Sequence, residues 1–417
     1  VTCHTVTGGV VPSFRRRWWA WALAVLVVAA AVAPLVQHWL TNPDDQRLVD
    51  LDVYRTGGQM LLDGRPVYEF VTPAPQLLPF TYPPIAAMLA TLLAKMSWDT
   101  AQWVWTAGIF VALAVTVGFS FREALRGEAV RRHAPWVFAF LMVACVYLMP
   151  IRDQVRFGQV DILLVALCLA DCAARRPWWP RGFLIGLATA VKLTPGVFLV
   201  YLLVTRQWRT FSMAAFTAAL LTLLPFAVIP RDAAGFWFSA LLDPQRVGAN
   251  TATTNQSIRG MLMRLYLPDT LTSVLWLALV AAVAWYGFRG ARDAYRAHDT
   301  ITATALVGLM AVLLSPVAWI HHLAWIAVVL GAVVGDGRDP VRLRVAAGVW
   351  LYYMVPIPWW GVSLKAADIP VVSLVLGKIV QNGYGLGALA LVWLLAHWLP
   401  KRRDESVPRP KAGHYAL

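Results

Sequence analysis

The 417-residue sequence is poor in charge: Asp, Glu, Lys and Arg make up 14% of it, against 59% hydrophobic residues. A soluble chain of this length would form two or three domains with charged surfaces, and so little charge excludes that reading. Acidic residues are the scarcer sign, 22 against 36 basic, which leaves a net charge of +14. Cysteine is nearly absent, and Cys3, Cys145, Cys168 and Cys172 offer neither zinc-ligand spacing nor a disulfide framework. No strand pattern precedes Gly383, Gly385 and Gly387, so they are no dinucleotide fingerprint and read as helix-packing glycines.

What the sequence does have is long apolar runs. A bilayer core needs roughly 20 apolar residues per helix. Runs over 18–40, 101–121, 211–229, 270–289 and 380–399 meet that length, and shorter ones cover 135–150, 159–174, 301–316, 320–335 and 344–357. Arg15, Arg16 and Arg17 precede the first run, which is too long for a signal peptide and reads as a first span. The run 182–205 contains Lys192 and Pro195 and is predicted to split into two half-helices at that point. Irregular backbone at membrane depth is tolerated only where it lines a cavity.

The segment 82–96 decides the topology. If it lies in the interface rather than crossing, 23 of the 36 basic residues fall on one side, and the positive-inside rule makes that side cytosolic. The expectation is an all-α polytopic membrane protein of about 12 transmembrane helices, two of them short, with both termini cytosolic. It comprises a cytosolic segment 1–17, a single transmembrane domain 18–400 with outer loops 41–100 and 230–269, and a basic, disordered cytosolic tail 401–417. The basic excess is then an orientation signal, and nucleic acid is not expected as a partner.

This topology gathers ionisable groups from several segments at the outer boundary: Asp50 and Asp52, Arg152, Lys192, Arg259, His321 and His322. Such convergence suggests one extracytoplasmic cavity. Asp50 and Asp52 share a face in an extended segment but not on a helix. Adjacent histidines point about 100° apart on an α-helix, which disfavours a shared ligand site. Lys192, flanked by Val191 and Leu193, needs an anion or an aqueous cavity beside it.

The order of short motifs resembles the GT-C superfamily of polyprenol-phosphate-sugar glycosyltransferases. They are Asp50-Leu-Asp-Val-Tyr-Arg55, Thr81-Tyr-Pro-Pro84, Gly158-Gln-Val-Asp161, Lys192-Leu-Thr-Pro195, Asn255-Gln-Ser-Ile-Arg-Gly260 and Ser315-Pro-x-x-Trp-x-His-His322. Within the superfamily the chain is similar to the PimE-like branch of bacterial α-mannosyltransferases, from about residue 15 to 400. The resemblance implies a GT-C fold in the bacterial plasma membrane, acting as a monomer with a periplasmic active site. It implies transfer of mannose from polyprenyl-phosphate mannose to a phosphatidylinositol mannoside, PIM4 to PIM5 in α-1,2 linkage, with inversion. Asp50 is implied as general base, with Asp52 as the neighbouring carboxylate, and His322 joins the catalytic set. Substrate-binding roles fall to Asp52, Tyr54, Arg55, Tyr82, Arg152, Gln159, Lys192, Asn255, Arg259, Trp319 and His321.

The leaving lipid phosphate calls for cationic contacts, for which Lys192, Arg259, Arg152 and His322 are candidates. Asp50 and Asp52 form the one evident carboxylate pair, so neither cofactor nor metal is expected. Competing readings are a related lipid-linked sugar transferase acting on mannan or lipoarabinomannan, and a lipid or sugar transporter. A transporter is expected to show an internal repeat, which the sequence lacks.

Overall fold

The computed structural model describes residues 18–43 and 46–406, and every regular element among them is a helix. The expected cytosolic segment 1–17 lies outside the described residues, as does 407–417. The chain opens with α1 (Trp18–Leu40), α2 (Val49–Leu62), α3 (Pro84–Ala94) and α4 (Trp98–Ser120). Two short turns, α5 (Arg122–Arg126) and α6 (Glu128–Arg131), lead to α7 (Ala134–Val146), α8 (Met149–Phe157) and α9 (Asp161–Ala173). Then come α10 (Phe183–Val191), α11 (Val197–Val204), α12 (Trp208–Val228), α13 (Pro230–Phe238), α14 (Ile258–Met263) and α15 (Asp269–Arg296). The last group is α16 (Thr300–Leu313), α17 (Ile326–Val334), α18 (Pro340–Met354), α19 (Ile357–Ala366), α20 (Gly377–Gln381), α21 (Gly383–Trp393) and α22 (Leu399–Ser406).

The bundle is apolar inside and out, the arrangement a lipid solvent requires. Every side chain of α16 from Ile301 to Leu313 is buried, so this helix forms the centre. Asp299 caps its start by accepting from Thr302 N–H at 3.1 Å. At the periphery, Val25, Phe216, Leu223, Val274 and Trp285 are more than 60% exposed or close to it, on α1, α12 and α15. Among the described residues, five helices are long and apolar enough to cross a membrane, or six when the bent pair α7–α8 is counted as one span. The expected figure of about 12 includes shorter apolar helices such as α16, which fall below that length.

Two breaks shape the site. The α7 and α8 axes differ by 76°, with Pro150 at the start of α8, so the run 135–150 is not one straight segment. The run 182–205 splits at Lys192, whose backbone is extended (φ −148°, ψ 132°), and Thr194–Gly196 forms a 3-10 turn before α11. Pro195 removes a helical donor at this break.

Helix α3 has 11 residues, about 16 Å at 1.5 Å per residue, too short to cross a core of about 30 Å. It packs against α2 through Gly58, where an added Cβ would lie 2.4 Å from the Ala90 carbonyl oxygen. Gly385 is a packing glycine of the same kind, its missing Cβ facing the Gln256 carbonyl at 2.6 Å. The described cysteines, Cys145, Cys168 and Cys172, are free thiols. The tail expectation needs correction: 401–406 continue α22, held by Arg402 to Asp339 at 2.8 Å and by an ion pair between Arg403 and Asp299. Two carboxylates at helix starts thus order basic residues that in sequence read only as a charged tail.

Candidate active site

The site begins at the start of α2. Leu48 precedes the helix in a left-handed conformation (φ 52°), and its N–H donates to the Arg156 carbonyl at 2.9 Å. The α2 terminus therefore sits on the end of α8. Gly158 makes this approach possible: its φ is +71°, and a Cβ there would stand 2.8 Å from Leu51 Cβ. The Gly158 carbonyl accepts from the Trp105 indole N–H at 2.7 Å, which fixes the turn from α8 into α9.

Because 49–62 is helical, Asp50 and Asp52 point to different sides. Both lie in the first turn of α2, where the helix dipole favours negative charge. Asp50 faces the interior and is hydrogen-bonded by Gln159. As a carboxylate only accepts, the Gln159 amide group donates to it. The Gln159 Oε1 then faces the Tyr54 and Tyr82 hydroxyls at 3.2 and 3.3 Å, and those hydroxyls are 2.8 Å apart. Gln159 is fully enclosed, so this network holds it in one orientation. Asp50 itself is half-buried, yet desolvation pushes its carboxyl up to about 7, opposed by the Gln159 hydrogen bond and the Lys192 charge. Desolvation likewise raises Asp52, with hydrogen bonding from Thr56 and the charge of Arg55 opposing it.

Beside Asp50 lies a cationic cluster. Lys192 Nζ is 2.7 Å from Asp161 Oδ1, 3.1 Å from His322 Nε2 and 5.2 Å from the centre of the Tyr82 ring. His321 and His322 lie on a 3-10 turn, Ile320–Trp325, and not on an α-helix. Contrary to the α-helical expectation, their Nε2 atoms converge on Asp161 Oδ2, at 4.0 and 3.8 Å. His322 Nδ1 accepts the Trp319 backbone N–H at 3.2 Å, which orients the ring with its Nε2 beside Lys192 Nζ and Asp161 Oδ2. Asp161 Oδ2 and His321 Nε2 are buried without hydrogen-bond partners, and with His322 they form a group of metal-ligand type. Lys192 already supplies a positive charge at that point.

The remaining candidates separate. Gln154 is buried and ties the cluster together, donating to the His321 carbonyl at 2.6 Å and accepting from Ile162 N–H at 3.2 Å. Asn255 is fully buried; its Oδ1 accepts from Ser257 N–H and Ala318 N–H at 3.2 and 3.0 Å, pinning 250–257 to the Trp319 segment. Arg55 donates to the Met96 carbonyl at 3.0 Å and clasps the end of α3. Arg259 lies over the Trp276 ring at 5.3 Å, and among the described residues it makes no hydrogen bond or ion pair to the Lys192 cluster. Arg152 is half-buried on α8, and Trp319 covers Gly248. Asp161 and Gln154 stand out only in the fold. The sequence places Asp161 in the segment Gly158-Gln-Val-Asp161, but its partners Lys192 and His322 come from 31 and 161 residues away.

An all-α, multi-span membrane protein with a secluded carboxylate beside an ammonium–imidazole cluster is a membrane enzyme suited to group transfer onto or from an anion. The chain belongs to Glycosyltransferase family 87, whose profile matches residues 80–316. It is 36% identical over 361 residues to the polyprenol-phosphate-mannose-dependent alpha-(1-2)-phosphatidylinositol mannoside mannosyltransferase of Mycolicibacterium smegmatis, covering 81% of this chain and 82% of that one. The protein of the same description from Mycobacterium tuberculosis is 33% identical over 357 residues, again 81% and 82%. A pentamannoside mannosyltransferase of M. smegmatis is 29% identical over 347 residues, covering 80% and 81%. Among solved structures, ArnT from Cupriavidus metallidurans bound to undecaprenyl phosphate aligns with 93% of this chain and 79% of its own, at 17% identity and a TM-score of 0.37.

Proposed function

We propose that the chain is a GT-C mannosyltransferase that moves mannose from polyprenyl-phosphate mannose to a phosphatidylinositol mannoside, PIM4 to PIM5 in α-1,2 linkage. The observation that carries this reading is the juxtaposition of Asp50, oriented by Gln159, with the Lys192–His322 pair. The printed activities of the relatives supply the donor and acceptor classes. Asp50 accepts the proton of the acceptor 2-hydroxyl as that oxygen bonds to C1 of mannose. The C1–oxygen bond to phosphate breaks on the opposite face, and its electron pair leaves on the polyprenyl phosphate. One displacement turns a β-linked donor into an α-linked product.

General-base catalysis of this kind contributes about 10²–10⁴-fold. A carboxyl poised at about 7 holds enough base at neutral pH while retaining basicity. Lys192 stabilises the leaving phosphate by charge and hydrogen bonding, with the His322 ring at 3.1 Å helping to position its ammonium. With an ammonium already between Asp161 and His322, the enzyme works without a metal as a monomer, its site facing the periplasm.

The test is product analysis. Purified protein in nanodiscs receives polyprenyl-phosphate mannose with defined tetra- and pentamannoside acceptors, and mass spectrometry with linkage analysis identifies the product. One added mannose in α-1,2 linkage on the tetramannoside supports the reading. Transfer of another sugar, or none, overturns it.

A further inference from the structure

A cavity of about 370 Å³ opens on the side of α2 away from Asp50. Its volume lies within the range of about 300–1,000 Å³ found for small-molecule pockets. Asp52, Arg47, Gln76 and Thr72 provide polar walls, and Trp98 and Val49 provide apolar ones. The residues of the far wall are held in place: Thr72 N–H donates to the Leu78 carbonyl and Thr72 Oγ1 accepts from Leu78 N–H, both at 2.9 Å, while Val71 bridges Pro79. Trp98 is likewise fixed, packed on the buried cluster of Leu48, Leu51 and Leu93.

A carboxylate, a guanidinium and an amide around one indole match the chemistry of a sugar ring. The edge hydroxyls of such a ring both donate and accept, and its C–H face is apolar. At about 100° per residue, Asp50 and Asp52 point to nearly opposite sides of α2, with Val49 at the terminal turn between them. A saccharide of several rings passing over this terminus places one ring at Asp50 and others in the cavity.

We infer that this cavity is a saccharide subsite that takes the acceptor's sugars remote from the reacting hydroxyl, with Asp52 hydrogen-bonding their hydroxyls and Trp98 stacking on a ring. The inference rests on the proposed transfer to a glycolipid for the acceptor's identity. Binding energy collected there anchors the acceptor while Asp50 acts at the other end.

The experiment is saturation-transfer NMR and equilibrium binding of soluble mannotetraose to the full chain in nanodiscs, in the Asp50→Asn background so that no turnover occurs. Asp52→Ala, and Ala74→Trp, which fills the cavity from an exposed loop, are expected to weaken binding about tenfold or more, as loss of hydrogen bonds to a charged group does. With Asp50 restored, the same changes raise KM for the glycolipid acceptor and leave KM for the lipid-linked donor in place. Trp98→Phe, which keeps an aromatic face, retains most of the affinity. Wild-type affinity in both Asp52→Ala and Ala74→Trp overturns the subsite, as does a rise confined to the donor KM. Mannotetraose binding that depends on Asp52 and Ala74 in a protein that transfers no mannose keeps the subsite and overturns the proposed reaction instead.

Discussion

Lys192 Nζ lies 2.7 Å from Asp161 Oδ1, and the two side chains are 12% and 9% exposed. They come from different breaks in the bundle, the α10–α11 turn and the start of α9. Removing one partner of a buried pair leaves the other charge uncompensated, at a cost of about 3–5 kcal/mol when burial is complete. Lys192→Met is expected to destabilise the protein by about 3 kcal/mol and abolish transfer. The double change with Asp161→Asn recovers most of the thermal stability but none of the activity. Thermal unfolding in nanodiscs and a radiolabel transfer assay check both halves; recovery of activity in the double variant contradicts a role for Lys192 at the leaving phosphate.

Asp50→Asn retains shape and the Gln159 contact but cannot accept a proton. Its kcat is expected to fall by about 10²–10⁴-fold. Asp52→Asn, on another face of α2, acts mainly on acceptor KM. Steady-state kinetics on both variants separates the two carboxylates, and a larger kcat loss at Asp52 would move the base there.

The pH profile follows from the position of Asp50 at about 7, raised by burial above its ordinary value of 3.8. Below that pH the base is protonated, so log(kcat/KM) rises with unit slope and levels above about 7. For stability the sign is opposite. Between 3.8 and about 7 the folded protein binds more protons at Asp50 than the unfolded chain, so this group's contribution is lost as pH rises through about 7. Asp50→Asn is therefore more stable than the parent at pH 8, with the difference vanishing near pH 4. A Tm series from pH 4 to 8 measures it.

Gly158→Ala tests the seat of α2. The change places a side chain at φ +71° and drives its Cβ to 2.8 Å from Leu51 Cβ. Left-handed backbone alone costs about 1–2 kcal/mol outside glycine, and the clash pushes Asp50 from Gln159. The expected result is a lowered Tm together with a kcat loss exceeding tenfold, read from unfolding scans and transfer rates.

Incubation with EDTA followed by desalting should leave transfer unchanged, because Lys192 holds the positive charge between Asp161 and His322. Loss of activity restored by one added divalent ion assigns that charge to a metal on Asp161, His321 and His322 instead.

How much of this was legible in the sequence differs from element to element. Apolar runs long enough to cross a bilayer appear directly as α1, α4, α12 and α15, since each is a local consequence of composition. The split at Lys192–Pro195 was equally local, as proline cannot donate within a helix. The basic end of the chain read as a free tail because Asp299 and Asp339, which order its first turn, lie about 100 and 60 residues upstream.

By itself, then, the sequence determined a polytopic helical protein, the positions of its long spans and breaks, and the residue types available for a carboxylate–cation site. Tertiary structure decided which of them meet. A helical rather than extended α2 sent Asp50 and Asp52 to different sides of the helix, and a 3-10 turn brought adjacent histidines onto one oxygen of Asp161. Asn255 and Arg55 were drawn into loop and helix contacts, and Gln159 was enclosed between two tyrosines and the base. Sequence spacing fixes direction only within one element; contacts between elements depend on packing, which only the assembled fold supplies.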